Sequence, residues 1–315
     1  MAKWMLLAAA AGGASALINL GTSLGSPLAL MLSHLTHLPL FLAGLGIGAT
    51  GAVFAGGAGT LIVGLIAGPY AGFVFFTFDA VPVAILCRQA LLSRAVPGGQ
   101  TEWYPGGLLL LWLAGIVAVY VLALALYLGL AHDGIVAVVR GALQQYIDGL
   151  GSLVHPDSAE LLLALAPYVP GIMACYFMLT VIFNGALAQH LLRRSGRNLR
   201  PSVAFFEIEL PRGLLYVLAA AIAAAYLSGT FGHVALTLAF IVALAYFLLG
   251  LAVVHAFLRM RPNRGTALFS FYVIFILLMV LFSPVGLAIV GLGVVEQLLG
   301  LRHRFAQQTG GEEEE

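Results

Sequence analysis

The sequence predicts an all-α, polytopic transmembrane helical bundle, and three observations carry that prediction. Of 315 residues, 62% are hydrophobic and 9% are Asp, Glu, Lys or Arg, whereas a soluble domain carries about a quarter charged residues to clothe its exterior for water. Apolar runs long enough to cross a hydrocarbon core, roughly 20 residues, recur along the chain. In lipid every backbone N–H and C=O needs an internal partner, so runs of this length must be helical, and the short alternating segments of a β-barrel do not occur in the sequence. The net charge of +1 gives no case for nucleic acid or an acidic partner.

Lys3 followed by the apolar stretch from Trp4 to Leu20 has the form of a signal peptide, and Ala14-Ser15-Ala16 resembles a cleavage site. Apolar sequence resumes at once, so a retained first helix is expected. Further spans are expected at 38–56, 58–77, 107–130, 171–192, 213–228, 234–257 and 267–282, after the first at 4–20. Residues 26–36 are too short to cross and read as a re-entrant or interfacial piece. Residues 78–92, with Asp79, Pro82 and Arg88, form or complete another span. The stretch 284–300, weakened by Glu296 and Gln297, spans or lies at the interface, which brings the total to about eight to ten. Cys87 and Cys175 have no CxxC spacing and read as buried small residues, with neither a disulfide framework nor a zinc site.

Basic residues set the orientation, because short cytoplasmic loops are enriched in Lys and Arg. Arg88 and Arg94 flank one loop, Arg193, Arg194, Arg197, Arg200 and Arg212 crowd a second, Arg259, Arg261 and Arg264 mark a third, and Arg302 and Arg304 a fourth. Pairing the intervening spans puts all four, Lys3 and both termini on the cytoplasmic side of a bacterial inner membrane. The connection 131–166 then lies outside, with Asp133, Asp148, Asp157 and Glu160 against a lone Arg140. Within it Ile135, Val136, Val138, Val139, Ala142, Leu143, Tyr146, Ile147 and Leu150 recur at helical spacing, with Arg140, Gln144, Gln145 and Asp148 on the other face, which predicts an amphipathic helix near 134–150. The acidic tail at 306–315 reads as disordered.

Gly64, Gly68 and Gly72 lie four apart, as do Ala8, Gly12 and Ala16, and each set predicts one helix face. Small residues permit the close backbone approach that associates helices in lipid. Internal packing is the favoured reading, and a docking surface for another membrane subunit is the alternative.

The stretch LPLFLAGLGIGATGAVFAGGAGTLIVGLIAGP (38–69) resembles the second and third helices of the S components of energy-coupling-factor transporters. EWYPGGLLLLWLAG (102–115), ELPRGLLYVLAAA (209–221), YFLLGLAVVHAFLRM (246–260) and LGVVEQLLGLRHRF (292–305), in that order, resemble the YybS-like family of uncharacterised bacterial inner-membrane proteins, domain of unknown function 2232. The resemblance covers most of the chain. It implies an S-component-like six-helix core at 1–200, which binds a small solute near the outer face, and additional C-terminal helices at 201–305. Metal-specific S components carry a histidine ligand at the second position. Ala2 stands there, which argues against that function, and no cofactor is implied. The fold also resembles a structural class of rod-shape-determining membrane proteins.

Ionisable groups are costly in a bilayer, so each within a span is weighed for function. Asp79 sits in FVFFTFDAVPVAIL, where Pro82 frees the Phe78 carbonyl; the favoured reading is an N-cap at a helix junction. His34 and His37 lie three apart and could face one ligand on a helical turn, but no third metal donor is near in sequence. Asn19 and Asn184 are lone amides in spans, where most such residues hydrogen-bond a neighbouring helix. His233 and His255 form no constellation. No phosphate loop, HExxH or GxSxG motif occurs in the sequence. RRSGRNLR (193–200) could suggest anionic lipid, though orientation explains it more simply.

The function these readings predict is a non-enzymatic membrane protein that binds a small-molecule solute or another membrane subunit through its core, with membrane lipids as its surroundings. The substrate-binding candidates are Asn19, His34, His37 and Asn184. The alternative is a structural scaffold of the cell envelope without a ligand. The topology has a direct check. In a background lacking Cys87 and Cys175, an impermeant thiol reagent applied from outside should label Ser152→Cys and spare Ser195→Cys; the opposite pattern inverts the orientation.

Overall fold

The computed structural model describes residues 3–22, 25–131, 134–261, 263–281, 284–302 and 304. Ala2, Ser283 and the acidic tail at 306–315 lie outside the described residues. In chain order the helices are α1 Lys3–Gly21, α2 Pro27–Ser33, α3 His37–Ile47, α4 Ala49–Ala67, α5 Pro69–Phe75 and, after a π-helical turn at Phe76–Ala80, α6 Val81–Ala90. A hairpin of β1 Ser93–Ala95 and β2 Thr101–Trp103 follows. Then come α7 Gly106–Ala131, α8 Ile135–Leu150, α9 Pro156–Ala164, α10 Val169–Arg194, α11 Gly213–Ala224, α12 Gly229–Arg259, α13 Arg264–Leu281 and α14 Pro284–Leu299. Among the described residues seven stretches are long and apolar enough to cross a membrane: Lys3–Gly21, Pro27–Ile47, Ala49–Ala67, Pro69–Ala90, Gly106–Leu130, Pro156–Arg194 and Gly229–Arg259. The protein is an all-α polytopic membrane protein, as the composition predicts.

The boundaries within residues 26–92 differ from the expected ones. Residues 26–36 are no separate piece: α2, a turn at 34–36 and α3 together make the stretch Pro27–Ile47. The expected spans 38–56 and 58–77 are each interrupted, because the chain breaks at Gly48 (φ +124°) and Gly68 (φ +96°), and both glycines start the next helix. Near ψ 161° at Gly68 the backbone lies in a region open essentially to glycine alone, and Pro69 at the first helical position fixes the new start. Residues 69–90 then run as one stretch through the π-helical turn, so Asp79 lies inside it and caps nothing. The expected span 213–228 is the 12-residue helix α11. At 1.5 Å per residue it covers about 18 Å, short of a core of roughly 30 Å.

The chain divides into two compact units, 1–113 with 176–203, and 114–175 with 204–315.

In the first unit α4 packs against α1, α3, α5 and α6. A Cβ at Gly12 would run into the Ala55 carbonyl and lie 2.9 Å from the Gly59 nitrogen, so α1 and α4 touch backbone to backbone. A Cβ at Gly56 would lie 2.8 Å from the Ala80 Cβ, and one at Gly59 2.7 Å from the Phe75 ring. Gly64, Gly68 and Gly72 do not form one helix face. The break at Gly68 folds α5 back on α4, where a Cβ at Gly72 would lie 2.8 Å from the Gly64 Cα, and a Cβ at Gly68 would meet nothing within 4 Å.

In the second unit α12 is the central helix, with Tyr246, Leu249, Ala252 and Ile241 almost fully buried. Gly250 and Gly293 let α12 and α14 meet through backbone, since a Cβ on either would overlap the carbonyl of Ile289 or Tyr246. On α8 the residues Arg140, Gln144, Gln145 and Asp148 are exposed while Ile135 and Ile147 are buried, and Gln144 donates to Asp148 at 2.9 Å.

A leucine at Gly72 should separate α4 from α5 and cost about 1–3 kcal/mol, the usual range for overpacking. Gly57→Leu, at a position where an added Cβ meets nothing within 4 Å, should be close to neutral. Thermal unfolding of the two detergent-solubilised variants checks this; equal melting temperatures would remove the contact from the account of stability.

Candidate functional site

The turn at 34–36 interrupts the helix, and polar side chains from α1, α10 and the turn itself donate to carbonyls around it. Ser15 on α1 donates from Oγ to the Thr36 carbonyl at 2.6 Å. Asn184 on α10 donates from Nδ2 to the His34 carbonyl at 2.7 Å and to the Thr180 carbonyl of its own helix at 2.7 Å. The Thr36 hydroxyl donates to the Ser33 carbonyl at 2.7 Å. Irregular backbone is tolerated at membrane depth only when closed in this way or lining a cavity. The His34 ring lies against the outside of the turn, its Nε2 2.9 Å from the Tyr176 hydroxyl.

His37 opens α3 and is buried, with 6% of its surface exposed. Its Nε2 lies 3.2 Å from the Phe78 carbonyl oxygen and 3.5 Å from Asp79 Oδ1. Pro82, four residues on, has no N–H to offer that carbonyl. A carbonyl only accepts, so Nε2 carries the proton and Nδ1 is the bare acceptor in the neutral ring. The His37 ring also stands edge-on to Phe177, centroids 5.9 Å apart. Asp79 is 8% exposed, in a π-helical turn of a kind often found at functional sites.

Among the described residues, two buried atoms in this cluster have no hydrogen-bond partner, His37 Nδ1 and Asn184 Oδ1. Asn184 is fully buried, and because Nδ2 is committed to two carbonyls, Oδ1 is fixed as the atom left over. Among the described residues no three His, Cys, Asp or Glu side chains gather in a metal-binding group.

Of the expected site residues, the structure thus brings Asn184 to the backbone of His34, and sets His37 beside Asp79. Asn19 is half-buried on α1, four residues beyond Ser15, and its carbonyl accepts from Thr22 at 2.7 Å. It makes no described bond to the other three. Sequence reasoning missed Ser15, Thr36 and Tyr176. Each is a polar residue inside an apolar run, but Ser15 was absorbed into the cleavage-like motif, and Tyr176 is amphipathic enough to pass as an interfacial residue.

Charged side chains beyond the spans do similar work. In the first unit Arg200 is buried, donating to the Ala90 carbonyl at 2.7 Å and the Tyr104 carbonyl at 3.4 Å. Burial pulls its guanidinium below the ordinary arginine value. In the second unit Arg302 pairs with the buried Glu296 at 2.7 Å and donates to the Phe206 carbonyl, while Gln297 donates to the Leu210 carbonyl at 2.9 Å. Arg200 and Arg302 are therefore structural staples as well as basic residues.

No curated protein and no solved structure matches the chain. A family does, over residues 14–296, a range that holds α2–α13 whole, the C-terminal part of α1, most of α14, and every residue of the buried cluster. The chain belongs to the family described as predicted membrane protein (DUF2232).

Proposed function

We propose that the protein is a non-enzymatic membrane protein whose first unit binds a small polar solute at the α2–α3 turn. The observation that carries this reading is the pair of buried, unpartnered acceptors, His37 Nδ1 and Asn184 Oδ1, at one turn. Nearly all buried polar atoms find a partner, and an exception calls for an explanation such as a ligand or an ordered water. Two acceptors select a ligand that brings N–H or O–H donors, which describes nucleobases, heterocyclic vitamins and hydroxylated lipid precursors better than anions. The resemblance of 38–69 to S components agrees with a solute site, and a membrane subunit is the partner such a core would engage. The basic clusters described above favour a bacterial inner membrane with both termini cytoplasmic.

The second reading, a scaffold without a ligand, has its own support. The backbone contact of Gly12 with Ala55 and Gly59 and the staples at Ser15 and Asn184 stabilise a bundle whether or not a ligand binds.

A thermal-shift screen of purified protein separates the two. A true ligand at a hundredfold excess over its Kd stabilises the folded protein by about 2.7 kcal/mol, and that shift should vanish in Asn184→Ala. The substitution also removes hydrogen bonds worth about 0.6 kcal/mol each on average in membrane proteins, so its own melting temperature should fall modestly. A panel of such donors that moves no melting temperature in the unmodified protein, together with the modest fall in Asn184→Ala, leaves the scaffold reading standing.

A further inference from the structure

We propose that His37 and Asp79 together hold one exchangeable proton at membrane depth, so that the contact of α3 with the π-helical turn is a protonation site. The inference does not depend on a bound solute, because it rests on how charge can be compensated around Asp79. The carboxylate oxygen Oδ1 stands 3.5 Å from His37 Nε2, with both side chains buried. Backbone closure accounts for His37, which donates to the Phe78 carbonyl. It does not account for Asp79, which lies within a continuous stretch and caps no helix.

Among the described residues His37 is the one ion-pairing partner of Asp79. The elements packed on this contact bring no fixed cation to it. On α1 the single charged residue is Lys3 at the far end, and α4 has no titratable side chain. The turn brings His34, and α5 has Tyr70. On α6 there are Cys87 and the exposed Arg88, nine residues beyond Asp79 and so about 13 Å along the helix. On α10 the first unit has Tyr176 facing His34, and His190, Arg193 and Arg194 toward the helix end.

The pair therefore has to be neutral as a whole. It is neutral with a carboxyl proton on Asp79 and an uncharged imidazole, or with a carboxylate facing an imidazolium. Both states contain the same single proton beyond the one on Nε2. The second would point an Nδ1–H at no acceptor, so the proton rests on the Asp79 carboxyl. Release breaks that O–H bond, sends the proton to water and leaves one negative charge within the bundle, where an unpaired charge is costly. Uptake reverses the step, and no other reactant is needed.

Infrared spectroscopy of the full chain in nanodiscs, stepped through pH, tests the proposal. The unmodified protein should show a carboxylic-acid C=O band that fades as pH rises. The band should be missing from Asp79→Asn and should fade at a displaced pH in His37→Gln. Absence of any band lost in Asp79→Asn, or a band whose midpoint His37→Gln leaves in place, overturns it. Carbon-13 NMR of the unmodified protein labelled at aspartate carboxyls keeps the test open if either variant fails to fold. One of the four aspartates should titrate apart from the other three, and four coincident titrations sink the idea. A solute that binds without a titrating carboxyl removes this proposal alone, and a titrating carboxyl without a solute removes only the binding reading.

Discussion

A carbonyl released from a helix at membrane depth has no water to turn to, and much of this protein is arranged around that fact. At several places where the chain turns or bulges, a donor arrives from a distant element. Ser15 meets Thr36, Asn184 meets His34, and His37 meets Phe78. Outside the spans Arg200 meets Ala90 in the first unit, and Gln297 and Arg302 meet Leu210 and Phe206 in the second. These bonds span up to 150 residues of sequence, so they fix which elements are neighbours. Each is modest in energy, but the alternative to making it is an unsatisfied buried group, which is where the larger cost lies.

Glycine sets how near those neighbours stand. Lipid-immersed helices gain little from burying apolar side chains against one another, so packing depends on contact at short range. The overlap that a Cβ at Gly12, Gly250 or Gly293 would make with a facing carbonyl means that these helices touch through their backbones. Close approach in turn holds the donors in reach, because a serine or asparagine side chain is short. The glycines and the polar staples are thus two parts of one device.

The fold class was legible from composition and pattern together, since so apolar a chain without the alternating segments of a β-barrel satisfies its backbone in lipid only as helices. Long apolar runs such as α7 and α12 were legible too, within a few residues of their ends. The breaks at Gly48 and Gly68 were not, because they lie among many glycines in GIGATGAVFAGGAGTLIVGLIAGP, and a positive φ leaves no mark that distinguishes one glycine from the next. Only Pro69 gave a local sign of a helix start. The hairpin at 93–103 was hidden for a different reason. Its turn residues Gly98 and Gly99 were visible, but three-residue strands are too short to show a period. At the site, the Phe78 carbonyl could be anticipated from Pro82, but its partner His37 lies 41 residues away, and pattern reading has no term for such a contact.

Subtracting what the backbone requires from what the cluster contains isolates the part that closure leaves unexplained. A serine can close a turn, as Ser15 does, and an amide can, as Asn184 does. Neither needs a titratable group. Position 37 could hold a glutamine and still donate to Phe78, and position 79 needs no polar side chain at all for the π-helical turn to form, since that turn is made by backbone bonds such as Val81 to Phe76. A bundle built only for packing would gain by an apolar residue at 79, where a carboxylate adds desolvation cost without serving a carbonyl. The combination of a histidine and an aspartate is therefore the feature of the first unit that close packing and backbone satisfaction do not call for, and it is there that a chemical role has its physical foothold.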